Sequence, residues 1–214
     1  VLNGTFSAKA LQVGTMSGEE INFTIDSVES SLLGAYTIVG ENNLSAYAAA
    51  TDYANTANNT EDADDITIVG NGNTRTVDIS ANDTAKDIAK KINSVAGATT
   101  VFAQARTFAH LASGSATETS YQVAINGTET AAFTISSNDV ADAVSKINAI
   151  SSTTGVMASA TTENQVLLTD SDGDDIVIAN STSGTDLTVT AVGNEGINEQ
   201  ADTAISLAGA GSTG

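Results

Sequence analysis

Alternating carboxylates around a glycine form the most chemically specific segment of this sequence. Asp170, Asp172 and Asp174 stand two residues apart, with Gly173 between the last two. Carboxylate oxygens at this spacing suit a hard cation such as Ca²⁺, which takes oxygen ligands from a short loop. However, the order of an EF-hand loop is not met, and no Glu stands at its twelfth position. The sequence therefore favours a hairpin turn between strands at 165–168 and 176–178, with calcium binding as the alternative.

The sequence offers few candidates for a catalytic or metal-binding histidine or a nucleophilic serine. His110 is the only histidine, and it stands beside Phe108 and Leu111 in an apolar run. General-base catalysis and zinc binding normally recruit histidine together with partner residues, and no His-Glu-x-x-His motif is present. No Gly-x-Ser-x-Gly segment marks a nucleophile. We therefore expect His110 to be an ordinary strand or edge residue, and we predict no enzyme, catalytic residue or cofactor.

Basic residues are few and are concentrated on one predicted helix. Lys86, Lys90 and Lys91 form a small basic face, which we expect to be exposed and partly neutralised by Asp83 and Asp87. The whole chain has a formal net charge of -19, which argues against binding to nucleic acid or to an anionic membrane surface. Cysteine is absent, so disulfides and thiolate metal sites are impossible. No apolar run is long enough for a transmembrane helix.

The elements that must position these residues begin with a hairpin. Alternating apolar residues predict strands at 6–14 and 21–25, joined by a turn at 15–18. An Ala-rich segment at 44–53 predicts a short helix, and the acidic segment 55–65 predicts a loop. The Gly-rich tail begins like a strand at 201–207, and we expect it to return to the level of the first hairpin.

An internal repeat is the main organising feature of the sequence. Each copy has a hairpin around an Asn-Gly turn, a helix with Asn or Asp at its start, and an Ile-Asn pair at its end. The two copies stand about 55 residues apart, with a slip of one residue inside the helix. The corresponding positions are the turns Asn71-Gly72 and Asn126-Gly127, the caps Asn82 or Asp83 and Asn138 or Asp139, and the pairs Ile92-Asn93 and Ile147-Asn148.

Both predicted helices carry one apolar stripe, which must be buried against a sheet. After each helix the pattern returns to strands, so we predict an α+β, strand-dominated fold. It would contain two repeated units of β-hairpin, short helix packed on a sheet and further strands, on a basal β-hairpin. The stripes are Ala85, Ile88, Ile92 and Val95 in the first copy and Val140, Val144, Ile147 and Ile150 in the second; the further strands are at 100–105, 108–111, 155–160, 165–168, 174–178 and 187–192.

Two segments resemble bacterial flagellins. The opening Leu2-Asn3-Gly4-Thr5-Phe6, followed by Leu11-Gln12-Val13-Gly14, resembles the place where the flagellin rod passes into a β-hairpin. The repeats resemble the flagellin hook IN motif, in which a capped helix ends in Ile-Asn and a Gly-Val-x-Ala strand follows. The second copy matches that strand with Gly155-Val156-Met157-Ala158, whereas the first copy has Thr99-Thr100-Val101-Phe102-Ala103.

The resemblance implies a structural subunit of the flagellar filament, extracellular and serving motility. It implies a basal region at 1–35 plus 200–214, a first module at 36–113 and a second at 114–199, all facing solvent. Its partners would be other flagellin subunits, bound through rod helices missing from this sequence, which we interpret as an excised, monomeric fragment. The alternatives are a hook-associated filament protein, because such proteins share the repeat, and a calcium-assisted extracellular adhesion module.

Overall fold

Strands predominate in the computed structural model, which describes residues 9–13, 18, 20–23, 65–115, 117–182, 185–192 and 204–207. The predicted helix at 44–53, the loop at 55–64 and the opening residues Leu2 to Phe6 lie outside the described residues. The elements in chain order are β1 (Lys9–Gln12), β2 (Glu20–Phe23), β3 (Ile66–Gly70), β4 (Asn73–Val77), α1 (Ala85–Ser94), α2 (Ala96–Thr99), β5 (Thr107–Ser113), β6 (Thr119–Tyr121), β7 (Val123–Ile125), β8 (Thr128–Glu129), β9 (Phe133–Ile135), α3 (Ala141–Asn148), α4 (Ser151–Thr154), β10 (Val156–Ala160), β11 (Val166–Asp170), β12 (Ile178–Asn180), β13 (Leu187–Ala191) and β14 (Ile205–Leu207).

The α+β class is confirmed, because short helices alternate with several antiparallel sheets. The chain divides into two compact units, Val1–Val39 and Gly40–Gly214. In the first unit, β1 pairs with β2 in antiparallel register, which confirms the predicted opening hairpin. The finer division into a basal region and two modules stays a prediction.

The first copy of the repeat forms a small separate core. Strands β3 and β4 pair around Asn71 and Gly72, whose φ angles of 49° and 69° fit the two-residue turn that Asn-Gly favours. Helices α1 and α2 follow the hairpin. Few of the side chains in this core are fully enclosed: the buried ones are Ile68, Val77 and Ile79, and the half-buried ones packed against them are Ile66, Ile88, Ile92, Val95 and Val101.

The second copy builds the larger core. Strand β7 pairs with β8 around the turn at Asn126 and Gly127, and β12 pairs with the other side of β7. Strand β6 pairs with β9. A five-stranded antiparallel sheet has the order β10-β11-β5-β13-β14. Its middle strand β5 comes from the chain that leaves the first copy. Most side chains of this core are sealed from solvent, including Tyr121, Phe133, Ile135, Ile147, Leu168 and Leu187.

The two helices are not buried alike, although the sequence gives them similar stripes. Ile147 on α3 is 0% exposed and lies in the larger core, whereas Ile92 on α1 is only half-buried. Ala85 is exposed, so its place on the predicted stripe is wrong, and Ala89 is the buried residue of that helix. The difference arises because α3 packs beside β9 and β10, whereas α1 covers a single two-stranded hairpin.

The predicted cap of the first helix is wrong by one or two residues. Thr84 is the N-cap, and its side chain accepts the N–H of Asp87 while the Asp87 carboxylate accepts the N–H of Thr84. This reciprocal capping box satisfies two donors at once, which neither Asn82 nor Asp83 alone would do. In the second copy the N-cap is Val140, and Asp139, one residue before it, accepts a first-turn N–H, that of Ala141, at 2.8 Å.

Two of the predicted strands are also wrong in whole or in part. Residues 101–106 have no regular structure, and only the end of the predicted strand at 174–178 enters β12. Thr100 adopts a left-handed conformation with φ 57°, where the second copy has Gly155. Strands at 108–111, 155–160, 165–168 and 187–192 are confirmed with small changes at their ends.

Candidate functional site

The acidic loop after β11 is organised by its first carboxylate. Asp170 is only 4% exposed, and its Oδ1 accepts the backbone N–H groups of Asp172, Gly173 and Asp174 at 2.9, 3.0 and 3.3 Å. A buried carboxylate is tolerated when several donors surround it. Asp170 therefore holds the shape of this loop through its own side chain.

The side chain of Lys86 places a positive charge beside this loop. The ammonium of Lys86, on the first turn of α1, lies 2.7 Å from Asp174 Oδ2 and 3.4 Å from Asp172 Oδ2. The Lys86 backbone N–H also donates to the carbonyl of Gly173 at 3.0 Å. The hydrogen bond to Asp174 raises the pKa of Lys86 above its usual value, with a further contribution from Asp172. The loop thus docks the helix of the first copy by charge and by a main-chain bond.

The interpretation of this segment as a hairpin turn is wrong. Strand β11 has β10 on one side and β5 on the other, so neither edge can accept β12, which pairs with β7 in a different sheet. The loop carries the chain from the five-stranded sheet to the sheet that contains β7 and β12. Gly173 is required there for two reasons: its φ is 81°, and a Cβ would stand 2.3 Å from the Cβ of Ala105.

The three calcium candidates, Asp170, Asp172 and Asp174, are divided between two sets of partners. Asp170 Oδ1 is directed at main-chain donors, while Asp172 and Asp174 are directed at Lys86. Within the described ranges, no group of three or more acidic, histidine or cysteine side chains is placed to hold a metal ion. Calcium binding stays a prediction, and the ion would have to displace the Lys86 ammonium.

His110 lies on β5, in the middle of the five-stranded sheet. It stands opposite Leu167 of β11 and Thr190 of β13, and it is buried. Its prediction as a strand residue is confirmed, although its strand is central and not at an edge. This position places its backbone within the sheet and its side chain away from solvent.

Asp83 and Lys91 form a partly buried ion pair in the first copy. The Asp83 carboxylate also accepts the backbone N–H of Ser80 at 2.8 Å. The hydrogen bond from Lys91, together with that from Ser80, lowers the pKa of Asp83 below its usual value. Asp83, predicted as a helix cap, instead ties α1 to the turn before it.

The Asn of each Ile-Asn pair makes a contact that the sequence reasoning missed. The Asn148 carboxamide donates to the carbonyl of Ala158 and accepts its N–H, both at 2.8 Å. Asn93 makes the same two bonds with Ala103, both at 2.9 Å. We call this pair of contacts the Asn clamp. The signal was present in the sequence, because an Ala stands ten residues after the Asn in both copies.

A threonine supports the clamp at the same place in each copy. The Thr99 hydroxyl donates to the Val95 carbonyl, and the Val101 N–H donates back to that hydroxyl. Thr154 bonds in the same way to the Ile150 carbonyl and to the Val156 N–H. Both copies therefore use one local network to turn the chain from helix end to the following extended segment.

Residues 65–111 match the family profile described as the flagellin hook IN motif. The chain carries a flagellin hook IN motif. The matched segment contains the β3–β4 hairpin, α1, α2 and the Asn clamp of the first copy, and it ends within β5. The match supports a flagellin-type protein. A search of curated proteins found no match.

The IN motif supports a role related to the flagellar filament. Flagellins are structural, non-enzymatic components of that extracellular filament, where they assemble with other flagellin subunits. No helix within the described residues is long and apolar enough to cross a bilayer.

Proposed function

We propose that this chain forms the outer, solvent-facing domains of a flagellin, a structural subunit of the flagellar filament that serves motility. The observation that carries the proposal is the hook IN motif at residues 65–111, whose Ile-Asn pair forms a defined contact in the fold. The location that follows is the outside of the cell, on the filament. We also propose that the chain catalyses no reaction.

A second IN-type unit supports the proposal. Residues outside the matched segment repeat its hairpin, helix and Asn clamp, with the same spacing of ten residues between Asn148 and Ala158. Side-by-side copies of one unit are a common way to build an extended surface array. We propose that both IN-type copies of the repeat project from the filament.

The charge of the chain fits an outward position. A formal net charge of -19 favours solvation and repels identical neighbours, so these residues are poorly suited to hold subunits together. Within the described residues the longest helix, α1, has 10 residues. We propose that assembly with other flagellin subunits uses rod helices outside these 214 residues, and that the chain alone is monomeric.

The described residues offer little for catalysis. His110 lies within a sheet, and Asp170 is engaged by three main-chain donors. A shallow groove beside α1 has a volume of 210 Å³, below the range of about 300–1,000 Å³ typical of ligand pockets. It is lined by Thr76, Val77, Asp78, Lys91, Ser94 and Val95.

The proposal is tested by placing residues 1–214 between the terminal helical regions of a flagellin that assembles. We expect filaments to form, and electron microscopy to show the added domains as density on the outer surface. The 214 residues alone, in the same buffer, should remain monomeric by light scattering at micromolar concentration. Chimeras that fail to polymerise, or ordered fibres from the 214 residues alone, would contradict an outward-facing role.

The alternatives give different results in related experiments. A hook-associated parent protein, carrying its own terminal helices and not those of a flagellin, would be incorporated at the filament end only, and not along its length, when added to growing filaments. An adhesion module would self-associate or bind a surface only when calcium is present. Because Lys86 occupies the carboxylates of Asp172 and Asp174, the structure favours the filament role over the calcium-assisted one.

A further inference from the structure

Strand β10 is one of the two outer strands of the five-stranded sheet within the described part of the chain, and β14 is the other. At its end, the Thr161 N–H donates to the Gln165 carbonyl at 2.9 Å across the turn to β11. Bonded and non-bonded residue pairs alternate along antiparallel strands, so every second residue of β10 turns its N–H and C=O away from β11. These outward-facing residues are Val156, Ala158 and Ala160.

An outer strand with open N–H and C=O groups is a template for pairing with another chain. On β10 the central outward-facing residue is already engaged. The Ala158 N–H and C=O both bond to the carboxamide of Asn148, at 2.8 Å each. One step along the strand, the Val156 N–H donates to the Thr154 hydroxyl at 3.2 Å.

A carboxamide carries the same donor and acceptor as a peptide group. Asn148 therefore supplies to Ala158 the two bonds that one residue of an adjacent strand would supply. A strand arriving from elsewhere cannot make these bonds while Asn148 holds them. Its approach would remain possible near Ala160, which is exposed at the end of the strand.

We infer that Asn148 guards the β10 edge of the five-stranded sheet. Its carboxamide occupies the outward N–H and C=O of Ala158 and prevents β10 from pairing with a strand of a second copy of this chain. The inference concerns association through a sheet edge and stands apart from the proposed filament role.

The clamp also closes a local loop, and this second effect must be separated from the first. In the first copy Asn93 binds Ala103 in a segment without regular structure, so the clamp forms there without a sheet edge to protect. Loss of Asn148 will therefore lower thermal stability in either case. Only the edge guard predicts that the variant also self-associates, and that a charge on the same edge prevents it.

The experiment compares the Asn148→Ala chain with the unaltered chain and with Asn138→Ala, which changes an exposed asparagine in the turn before α3. We expect Asn148→Ala to raise the weight-average mass at micromolar concentration by about two-fold or more, as edge pairing requires. Asn138→Ala should leave the mass unchanged. Asn148→Leu, which has a similar side-chain size but neither the donor nor the acceptor, should associate as Asn148→Ala does.

Adding Ala160→Lys to Asn148→Ala should return the mass to that of the unaltered chain without restoring the melting temperature, because an edge lysine disfavours strand addition. A folded Asn148→Ala chain that stays at the unaltered mass would overturn the inference. Equal association with and without Ala160→Lys would do the same.

Hydrogen exchange on the unaltered chain gives a test that does not depend on a variant folding. The Ala158 amide should exchange slowly, at a rate near that of sheet-internal amides such as that of Leu168. The Ala160 amide should exchange at least about ten-fold faster, because it faces outward without the clamp. Rapid exchange at Ala158 would show that Asn148 does not hold the edge and would refute the inference.

Discussion

Ile92 and Ile147 occupy the same place in the repeat but lie in cores of different depth. Ile147 is fully enclosed, so Ile147→Ala should cost about 2–5 kcal/mol in the free energy of unfolding. Ile92 is half-buried, and Ile92→Ala should cost about 1–2 kcal/mol because less apolar surface is lost. Urea denaturation measures both. The control Ser145→Ala, at an exposed position of α3, should stay within about 0.5 kcal/mol.

The pair formed by Asp83 and Lys91 gives stability a defined dependence on pH. Lys91 lowers the pKa of folded Asp83, so the stabilisation is present above the unfolded value of about 4 and is lost as pH falls through the folded value below it. We expect Asp83→Asn to lower the melting temperature at neutral pH. The difference from the unaltered chain should shrink as the pH is lowered below about 4, and a difference that stays constant would contradict this role.

Among the elements, the crossing loop after β11 connects the sheet of the second copy to the helix of the first. Asp170→Ala would leave three main-chain donors without their acceptor, including the buried N–H of Gly173, at a cost of at least about 2 kcal/mol. Asp170→Asn retains an oxygen acceptor and should lose less than about half as much. Denaturant titration separates the two, and equal losses would show that the loop does not depend on this acceptor.

The same loop allows a direct test of calcium. A ligand at 100 times its dissociation constant would add about 2.7 kcal/mol to the native state. Because the Lys86 ammonium lies between Asp172 and Asp174, we expect millimolar calcium to leave the melting temperature unchanged. A rise of several degrees that disappears in Asp172→Asn would instead establish a calcium site.

At the scale of the whole molecule, stability should differ between the two copies. The second copy contains the fully buried side chains, whereas the first has three buried apolar residues in its hairpin core. Native-state hydrogen exchange should therefore show faster opening of α1 than of α3, because local opening follows the apolar contacts that must be broken. Equal protection of the two helices would mean that both copies unfold as one cooperative unit.

Much of the local structure could be predicted from the sequence. The Asn-Gly turns require left-handed residues in sequence, and both Asn71 and Asn126 adopt positive φ. The helices followed from apolar spacing, and they end at Asn148 in the second copy and one residue after Asn93 in the first. The cap at Thr84 was missed because three candidate residues stand side by side, and only the reciprocal bonds with Asp87 select one of them.

The acidic loop could be located but not interpreted from the sequence. Its three aspartates were identified by type and spacing, yet the partner of two of them, Lys86, stands more than eighty residues earlier in the chain. The Lys86 charge was instead expected to be neutralised by neighbours on its own helix. Charge pairing over such a separation depends on which surfaces the fold brings together, and no local pattern encodes it.

The sequence by itself determined the strand-rich class, the acidic and cysteine-free character, the repeated hairpin and helix, and the resemblance to the hook IN motif. These features depend on contacts within a few residues, or on composition, and so they can be recognised without knowledge of the fold. Only the tertiary structure decided where β5 pairs, because its neighbours β11 and β13 stand far from it in the sequence and no local pattern selects them. It also decided that Ile147 is sealed while Ile92 is not, and that Asn148 bonds to the outward-facing N–H and C=O of Ala158 on the outer strand β10. Burial and edge pairing depend on how the sheets and helices pack together. The same local sequence pattern can occupy different positions in that packing.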